Sequence, residues 1–272
     1  MTLSGKFTHI ALVAAAAACI PLSASAHRMW LLPSATSLGS EQAWVTVDAA
    51  ASSDVFFPDH VPLKLDNLLI TAPDGTPAKA ENASTGKYRS TFDLQLAQAG
   101  TYKIGLVNNT LLASYKENGQ PKRWRGTAET FARDVPANAE DLQVTQSMGR
   151  VETFVTAGKP GGKALAITGA GLEMQPVTAP TDLYAGETAS FRLLLDGKPA
   201  ANVKVTLISG GVRYRSKLND MSATTGQDGK FSVIWPSAGM YWLEASIKDD
   251  KASKPAKERR ASYVATLEVL PQ

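Results

Sequence analysis

Apolar and polar residues alternate along most of the chain after residue 26, which is the pattern of half-buried β-strands. Clear examples are residues 43–48 and 88–94 in the first half and residues 190–195 and 230–235 in the second. Turn signals such as Pro-Asp-Gly-Thr at 73–76 separate these runs, because proline presets φ and glycine accepts a positive φ. Helical periodicity is scarce. The pattern therefore predicts an all-β chain.

The spacing of the strands and turns predicts two β-sandwich domains. Residues 158–162 contain three glycines and a proline, and we place a linker over 158–171. About seven strands spaced ~8–12 residues apart follow in residues 172–272, which is typical of an immunoglobulin-like sandwich. Residues 27–157 form the N-terminal immunoglobulin-like sandwich in this interpretation. Within it, the polar residues 115–140 are predicted to be a long loop with one short helix.

The first 26 residues have the features of a secretory signal peptide. Lys6 precedes an apolar run over residues 10–22, and residues 24–26 form an Ala-Ser-Ala cleavage site. The run is about two-thirds of the ~20 residues that a membrane span needs. A lipoprotein signal that uses Cys19 is the alternative. Either way we expect export, and with cleavage after Ala26 a periplasmic protein whose mature chain has no membrane span.

Composition excludes several classes of protein. The 272 residues are 44% hydrophobic and 19% charged, which is too apolar for an intrinsically disordered chain. A net charge of +3 is too small for a dedicated nucleic-acid binder. A single cysteine excludes a disulfide scaffold and cysteine-based metal sites. Six Lys or Arg residues within 248–260 are predicted to lie in a solvated hairpin loop between the last two strands.

Two histidines remain once the signal peptide is removed, and both are candidate metal ligands. Cleavage after Ala26 would make His27 the first residue, so that its α-amine and imidazole could chelate one ion. His60 is the only other imidazole, in a loop between prolines 58 and 62. An amine and two imidazoles form a histidine brace, a three-nitrogen site that suits copper. The competing interpretation is that both side chains are merely solvated.

Three further residues complete the predicted ligand set. Asp59 adjoins His60, and Glu173 and Met174 lie together in the segment Leu-Glu-Met-Gln-Pro. Carboxylates suit hard divalent ions, whereas thioethers suit copper(I). For these three, packing or a surface ion pair is the alternative.

Aromatic residues suggest a different kind of ligand contact. Trp30 and Trp124 are candidates for stacking on a ligand, whereas Trp44, Trp235 and Trp242 lie in strand patterns and are predicted to be core.

Enzymatic motifs are absent from the sequence. It contains no Gly-x-Ser-x-Gly, no His-Glu-x-x-His and no phosphate-binding loop. We therefore predict that the protein is not an enzyme and has no catalytic residues.

Several segments resemble a family of exported bacterial proteins often labelled NikM-like, or nickel-uptake components. The matching segments lie at residues 27–34 (HRMWLLPS), 149–156 (GRVETFVT), 171–176 (GLEMQP), 196–199 (DGKP), 223–231 (ATTGQDGKF) and 238–245 (AGMYWLEA). The resemblance covers nearly all of residues 27–270 and implies transition-metal handling at the cell envelope. Because the mature chain has no membrane span, it would serve an envelope transporter or a TonB-dependent receptor as an extracytoplasmic partner.

Two function classes follow. The first is a periplasmic protein that captures or delivers nickel or copper through His27 and His60. The second is an envelope binding or adhesion module that recognises a glycan or a protein through its sandwich loops. A copper oxygenase is a weaker third option, since that class needs a flat exposed copper face on a larger sandwich.

Overall fold

The computed structural model describes residues 27–272, and nearly all of its regular structure is β-strand. The predicted signal peptide and the alternative at Cys19 lie outside the described residues. The strands before residue 158 are β1 (Arg28–Pro33), β2 (Ser37–Leu38), β3 (Ala43–Ser52), β4 (Val61–Pro62), β5 (Leu68–Thr71), β6 (Pro77–Ala78), β7 (Glu81–Thr85), β8 (Ser90–Leu96), β9 (Gly100–Glu117), β10 (Gln120–Gly126) and β11 (Glu140–Ala157). The strands after it are β12 (Leu172–Pro176), β13 (Thr188–Leu195), β14 (Lys198–Pro199), β15 (Lys204–Ser209), β16 (Met221–Thr224), β17 (Lys230–Ile234), β18 (Gly239–Asp249) and β19 (Glu258–Val269).

Helical structure is confined to short segments. The helix α1 (Ala128–Asp134) begins after a capping box at Thr127, and Lys163–Leu165 and Val212–Tyr214 are single 3-10 turns. In residues 27–272, no helix has the length and apolar character that crossing a membrane requires.

The strands form three sheets. A five-stranded sheet has the order β1-β3-β8-β7, with β4 paired to β3, and a four-stranded sheet has the order β12-β13-β14, with β17 paired to β13. The ten-stranded sheet runs β16-β15-β18-β19-β11-β9-β5-β6, with β10 paired to β9 and β2 to β11. Because β11 and β19 pair in parallel, one sheet contains strands from both halves of the chain.

Each small sheet packs on one part of this large sheet. The core of the first half includes Trp30, Phe92 and Tyr102, and that of the second includes Phe191 and Trp235. Burying a large apolar side chain of this kind contributes about 1.5–3 kcal/mol. The prediction of an all-β chain of immunoglobulin-like sandwiches is confirmed, and the division at residues 158–171 stays a prediction.

The segment predicted to be a linker is packed against the first half. The amide of Lys163 donates to the carbonyl of Pro73 at 2.7 Å, and that of Thr101 donates to Gly161 at 2.8 Å. A Cβ at Gly162 would lie 2.6 Å from the Pro73 carbonyl oxygen, so only glycine allows this close approach.

Within residues 115–140 the predicted short helix is confirmed as α1, but the prediction of a long loop is wrong. Strands β9 and β10 extend through this region and turn at Asn118 and Gly119, whose φ angles are 53° and 73°. The extended parts of β9, β10 and β11, together with α1, form an arm with a small core of its own around Leu111, Ala113 and Val144. Its other face is polar, and the sequence pattern therefore lacked the apolar content of a core strand.

The charged C-terminal segment does form a hairpin connection, between β18 and β19. Arg259 was predicted to be solvated with the rest of this segment. Its side chain is instead buried and forms ion pairs with Asp196 at 2.7 Å and with Asp249. Both carboxylates raise the pKa of this guanidinium, and the hydrogen bonds that it donates to Asp249 are the largest cause.

Candidate metal centre

Strand pairing brings His27 and His60 to the same end of the five-stranded sheet. Strand β3 lies between β1 and β4, and its last residues pair with the first residues of both: Ser52 with Arg28 and Ala51 with Val61. His27 directly precedes β1 and His60 directly precedes β4, so both lie beside the end of β3.

The two imidazole rings are stacked. Their centroids are 3.5 Å apart and their planes differ by 6°, and both residues are exposed to solvent. One metal bound by a nitrogen of each ring would sit about 2 Å from both nitrogens. Rotation of the exposed side chains would be needed to aim both lone pairs at a common point, and the backbone already holds the residues within reach of each other.

Asp59 lies beside this pair but is engaged locally. Its carboxylate accepts a hydrogen bond from the backbone amide of Ser53 at 2.9 Å, which fixes the loop that carries His60. Across residues 27–272, no three His, Cys, Asp or Glu side chains are grouped so that they could hold a metal ion. A third nitrogen would have to come from the α-amine of His27, which exists only after cleavage at Ala26.

A cleft of about 230 Å³ adjoins His27, and the second half of the chain forms its far wall. The indole N–H of Trp242 on β18 donates to the carbonyl of Met29 at 2.9 Å, which joins that wall to β1. The Arg28 guanidinium lies 5.8 Å from the centroid of the same indole and donates to the carbonyl of Ser53 at 2.6 Å.

Glu244 in this cleft was missed by the sequence analysis. The side chain keeps an exposed fraction, but partial desolvation by the cleft walls raises the pKa of its carboxyl, and the positive charge of Arg28 opposes that shift. Alternation along β18 places Glu244 on the same side as Trp242, opposite the core residues Tyr241 and Leu243. The sequence predicts Trp242 to be core but gives no sign that Glu244 lines a cleft, because the packing of β1 against this side of β18 is non-local.

Replacing Glu244 with glutamine should stabilise the metal-free protein at neutral pH but not in acid. Because the pKa of Glu244 is higher in the folded chain than in the unfolded chain, the folded chain binds the carboxyl proton more tightly. The free energy of unfolding therefore falls as the pH rises from the unfolded-state pKa through the folded-state pKa. A neutral amide removes that loss. Urea unfolding at pH about 3 and about 7 measures it, and an equal gain at both values would contradict the assignment.

The other two predicted ligands are engaged elsewhere. The Glu173 carboxylate accepts hydrogen bonds from the amides of Thr168, Gly169 and Ala170 at 2.7–3.3 Å and lies 3.5 Å from Arg150. Met174 is 4% exposed in the core of the second half. Neither side chain joins the histidine pair, and their contacts are those of packing and a buried ion pair.

The tryptophan predictions are corrected in two places. Trp30 is fully buried and donates to the hydroxyl of Ser52 at 2.7 Å, so it is a core residue and not a ligand platform. Trp44 is 47% exposed, although its strand pattern predicted core, because it lies on the outer face of β3. Trp124 is half-buried and packs edge-on against Phe131 of α1.

Comparisons with known proteins show the family and little else. No curated protein matches the chain significantly. Among solved structures, the D0-D1 domain of intimin is 16% identical over 88% of this chain and 97% of its own, with a TM-score of 0.23. The human OSCAR ligand-binding domain is 14% identical over 90% and 100%, with a TM-score of 0.21. At such scores these similarities carry no functional inference.

The comparison with protein-family models matches most of the chain. The matching family does not have the nickel-uptake label that the sequence resemblance implies. Residues 24–249 match the model of a family described as a domain of unknown function (DUF4198), and the chain belongs to that family.

Proposed function

We propose that the processed protein is a periplasmic transition-metal-binding protein that holds one copper or nickel ion at His27 and His60. The stacking of these two side chains is the observation that carries the proposal. They are the only histidines from residue 27 onward, they are 33 positions apart, and they nevertheless meet at one exposed point. Neither contributes to a hydrophobic core, so packing alone gives no reason for their meeting.

The chemistry of the donors supports copper or nickel. Two imidazoles and an amine supply three nitrogens, a set that suits copper(II) and nickel(II) in tetragonal geometry, with copper favoured by the usual order of affinities. The exposed position leaves coordination sites open to a partner. An accessible site of this kind suits capture and delivery more than storage.

The nickel-uptake resemblance of the sequence agrees with this assignment. It points to an envelope transporter or a TonB-dependent receptor as the partner that would supply or receive the ion. The signal-peptide features of residues 1–26 support a periplasmic location.

Calorimetric titration of protein that begins at His27 tests the proposal. We expect one copper(II) per chain, with affinity reduced at least about a hundredfold by His60→Ala, since losing a residue that only supports a ligand already costs about 10–100-fold. Asp250→Asn is the control, because it changes an exposed carboxylate in the connection between β18 and β19 and keeps both imidazoles and the loop that carries His60. It should change the affinity by less than about threefold.

Two outcomes would reject the assignment. Equal affinity in His60→Ala and the parent protein would place the metal elsewhere. Absence of stoichiometric binding of copper or nickel would favour the alternative of a glycan- or protein-binding module.

A further inference from the structure

The uncovered face of the arm and the adjoining strand β19 carry three arginines without carboxylate partners in the described part of the chain. Arg123 and Arg125 on β10 and Arg260 on β19 are exposed and make no ion pair among residues 27–272, although neighbouring cations do. Those neighbouring pairs are Lys116–Asp141, Lys122–Glu117 and Lys248–Glu258. The arginines therefore remain available to an anion from outside the chain.

The strand register places these arginines along a groove. Arg123 lies opposite Ser114 and Arg125 opposite Leu112, while Gln143 and Thr145 of β11 pair with the same two residues of β9. The resulting groove has a volume of about 420 Å³, and no Asp or Glu lines it. β10 and β19 are separated by three strand spacings, or about 14 Å, which leaves room for one extended chain between guanidinium groups on both sides.

The same sheet face continues to the cleft beside His27. Arg260 lines the groove, and Ser262, two residues further along β19, lines the cleft. Because residues i and i+2 of a strand share a face, they are about 7 Å apart on one surface. A chain lying along this face would have one end next to the histidine pair.

We propose that this face is a docking groove for an extended acidic segment of a partner protein. Carboxylates at alternate positions of such a segment match the i, i+2 spacing of Arg123 and Arg125, and the planar guanidinium binds a carboxylate through two hydrogen bonds. The exposed Leu112, which lies opposite Arg125 on β9, gives an apolar contact. A concave groove with cations on both sides fits a single chain better than a flat membrane surface. The proposal does not depend on metal binding, although the position of the groove suits a partner that exchanges the ion.

Fluorescence anisotropy with a labelled synthetic peptide of alternating Glu and Thr tests the groove. We expect salt-sensitive binding that is weakened at least about tenfold in Arg123→Gln/Arg125→Gln. The control Lys198→Gln/Lys230→Gln removes the same charge from exposed positions of β14 and β17 and should bind the peptide as the parent does. Arg123→Lys/Arg125→Lys should recover only part of the affinity, because lysine lacks the planar fork.

Three results would overturn the proposal: no binding of the acidic peptide, an equal loss in the control pair, or binding of phosphatidylglycerol vesicles that the peptide cannot displace. The last would assign the face to a membrane. Copper titration of Arg123→Gln/Arg125→Gln separates the two proposals, since we expect unchanged metal affinity where peptide binding is lost.

Discussion

One additional methionine before His27 should lower the affinity of the processed protein for copper(II) by at least about a hundredfold, the minimum expected when a ligand is lost outright. The extra residue converts the α-amine of His27 into an amide, which is a poor ligand at neutral pH. It leaves both imidazoles in place, and β1 begins only at Arg28, so the fold has no reason to change. Competition titration of the two forms against a chelator of known affinity measures the difference.

A double-mutant cycle provides the control for this prediction. If the amine and His60 bind the same ion, the effects of the extension and of His60→Ala are non-additive, because the weakened site has less left to lose. Equal affinity of the extended and the processed protein would show that the amine is not a ligand. The site would then be limited to two imidazoles.

Replacing Arg150 with methionine should lower the free energy of unfolding by about 3–5 kcal/mol, the usual cost of removing one partner from a buried ion pair. Arg150 donates to Glu152 at 3.1 Å and lies 3.5 Å from Glu173, and all three side chains are less than 10% exposed. The substitution leaves two buried carboxylates without their counter-ion. Urea unfolding at neutral pH measures the loss.

Tyr263 belongs to the same network. Its hydroxyl donates to Glu152 at 2.9 Å, and burial, with the negative charge of Glu152, raises the pKa of this phenol well above its usual value.

Two further variants serve as controls for the Arg150 prediction. Lys116→Met removes one partner of the exposed pair Lys116–Asp141 and should lower the free energy of unfolding far less than Arg150→Met, because solvent screens exposed charges. Arg150→Met combined with Glu152→Gln and Glu173→Gln removes the unpaired charges and should recover much of the lost stability. A loss in Arg150→Met no larger than that in Lys116→Met would contradict the assigned role of the network.

The all-β class was predictable because strand alternation and turn residues are local properties of the sequence. Residues 43–48 and 230–234, for example, show alternating patterns and form part of β3 and all of β17. The arm was missed because β9 and β10 turn their polar residues to an uncovered face there, so that the pattern matched that of a loop. The parallel pairing of β11 with β19 has no local signal either, since paired residues such as Thr145 and Glu258 lie 113 positions apart in the sequence.

The candidate site was predictable only in part. His27 and His60 could be identified because residues 27–272 contain no other imidazole, but their contact depends on the pairing of β1 and β4 with β3. Glu173 and Met174 were chosen from a motif, and their packing in the second half has no signature in that motif. Glu244 was missed because its position becomes a cleft only when β1 packs across β18.

X-ray absorption of the copper(II)-loaded protein that begins at His27 is the decisive measurement for the metal site. We expect three nitrogen ligands at about 2 Å, two of them with the outer-shell scattering of imidazole rings, and loss of one imidazole in His60→Ala. A spectrum with no imidazole scattering, or one that His60→Ala leaves unchanged, would contradict the proposed site.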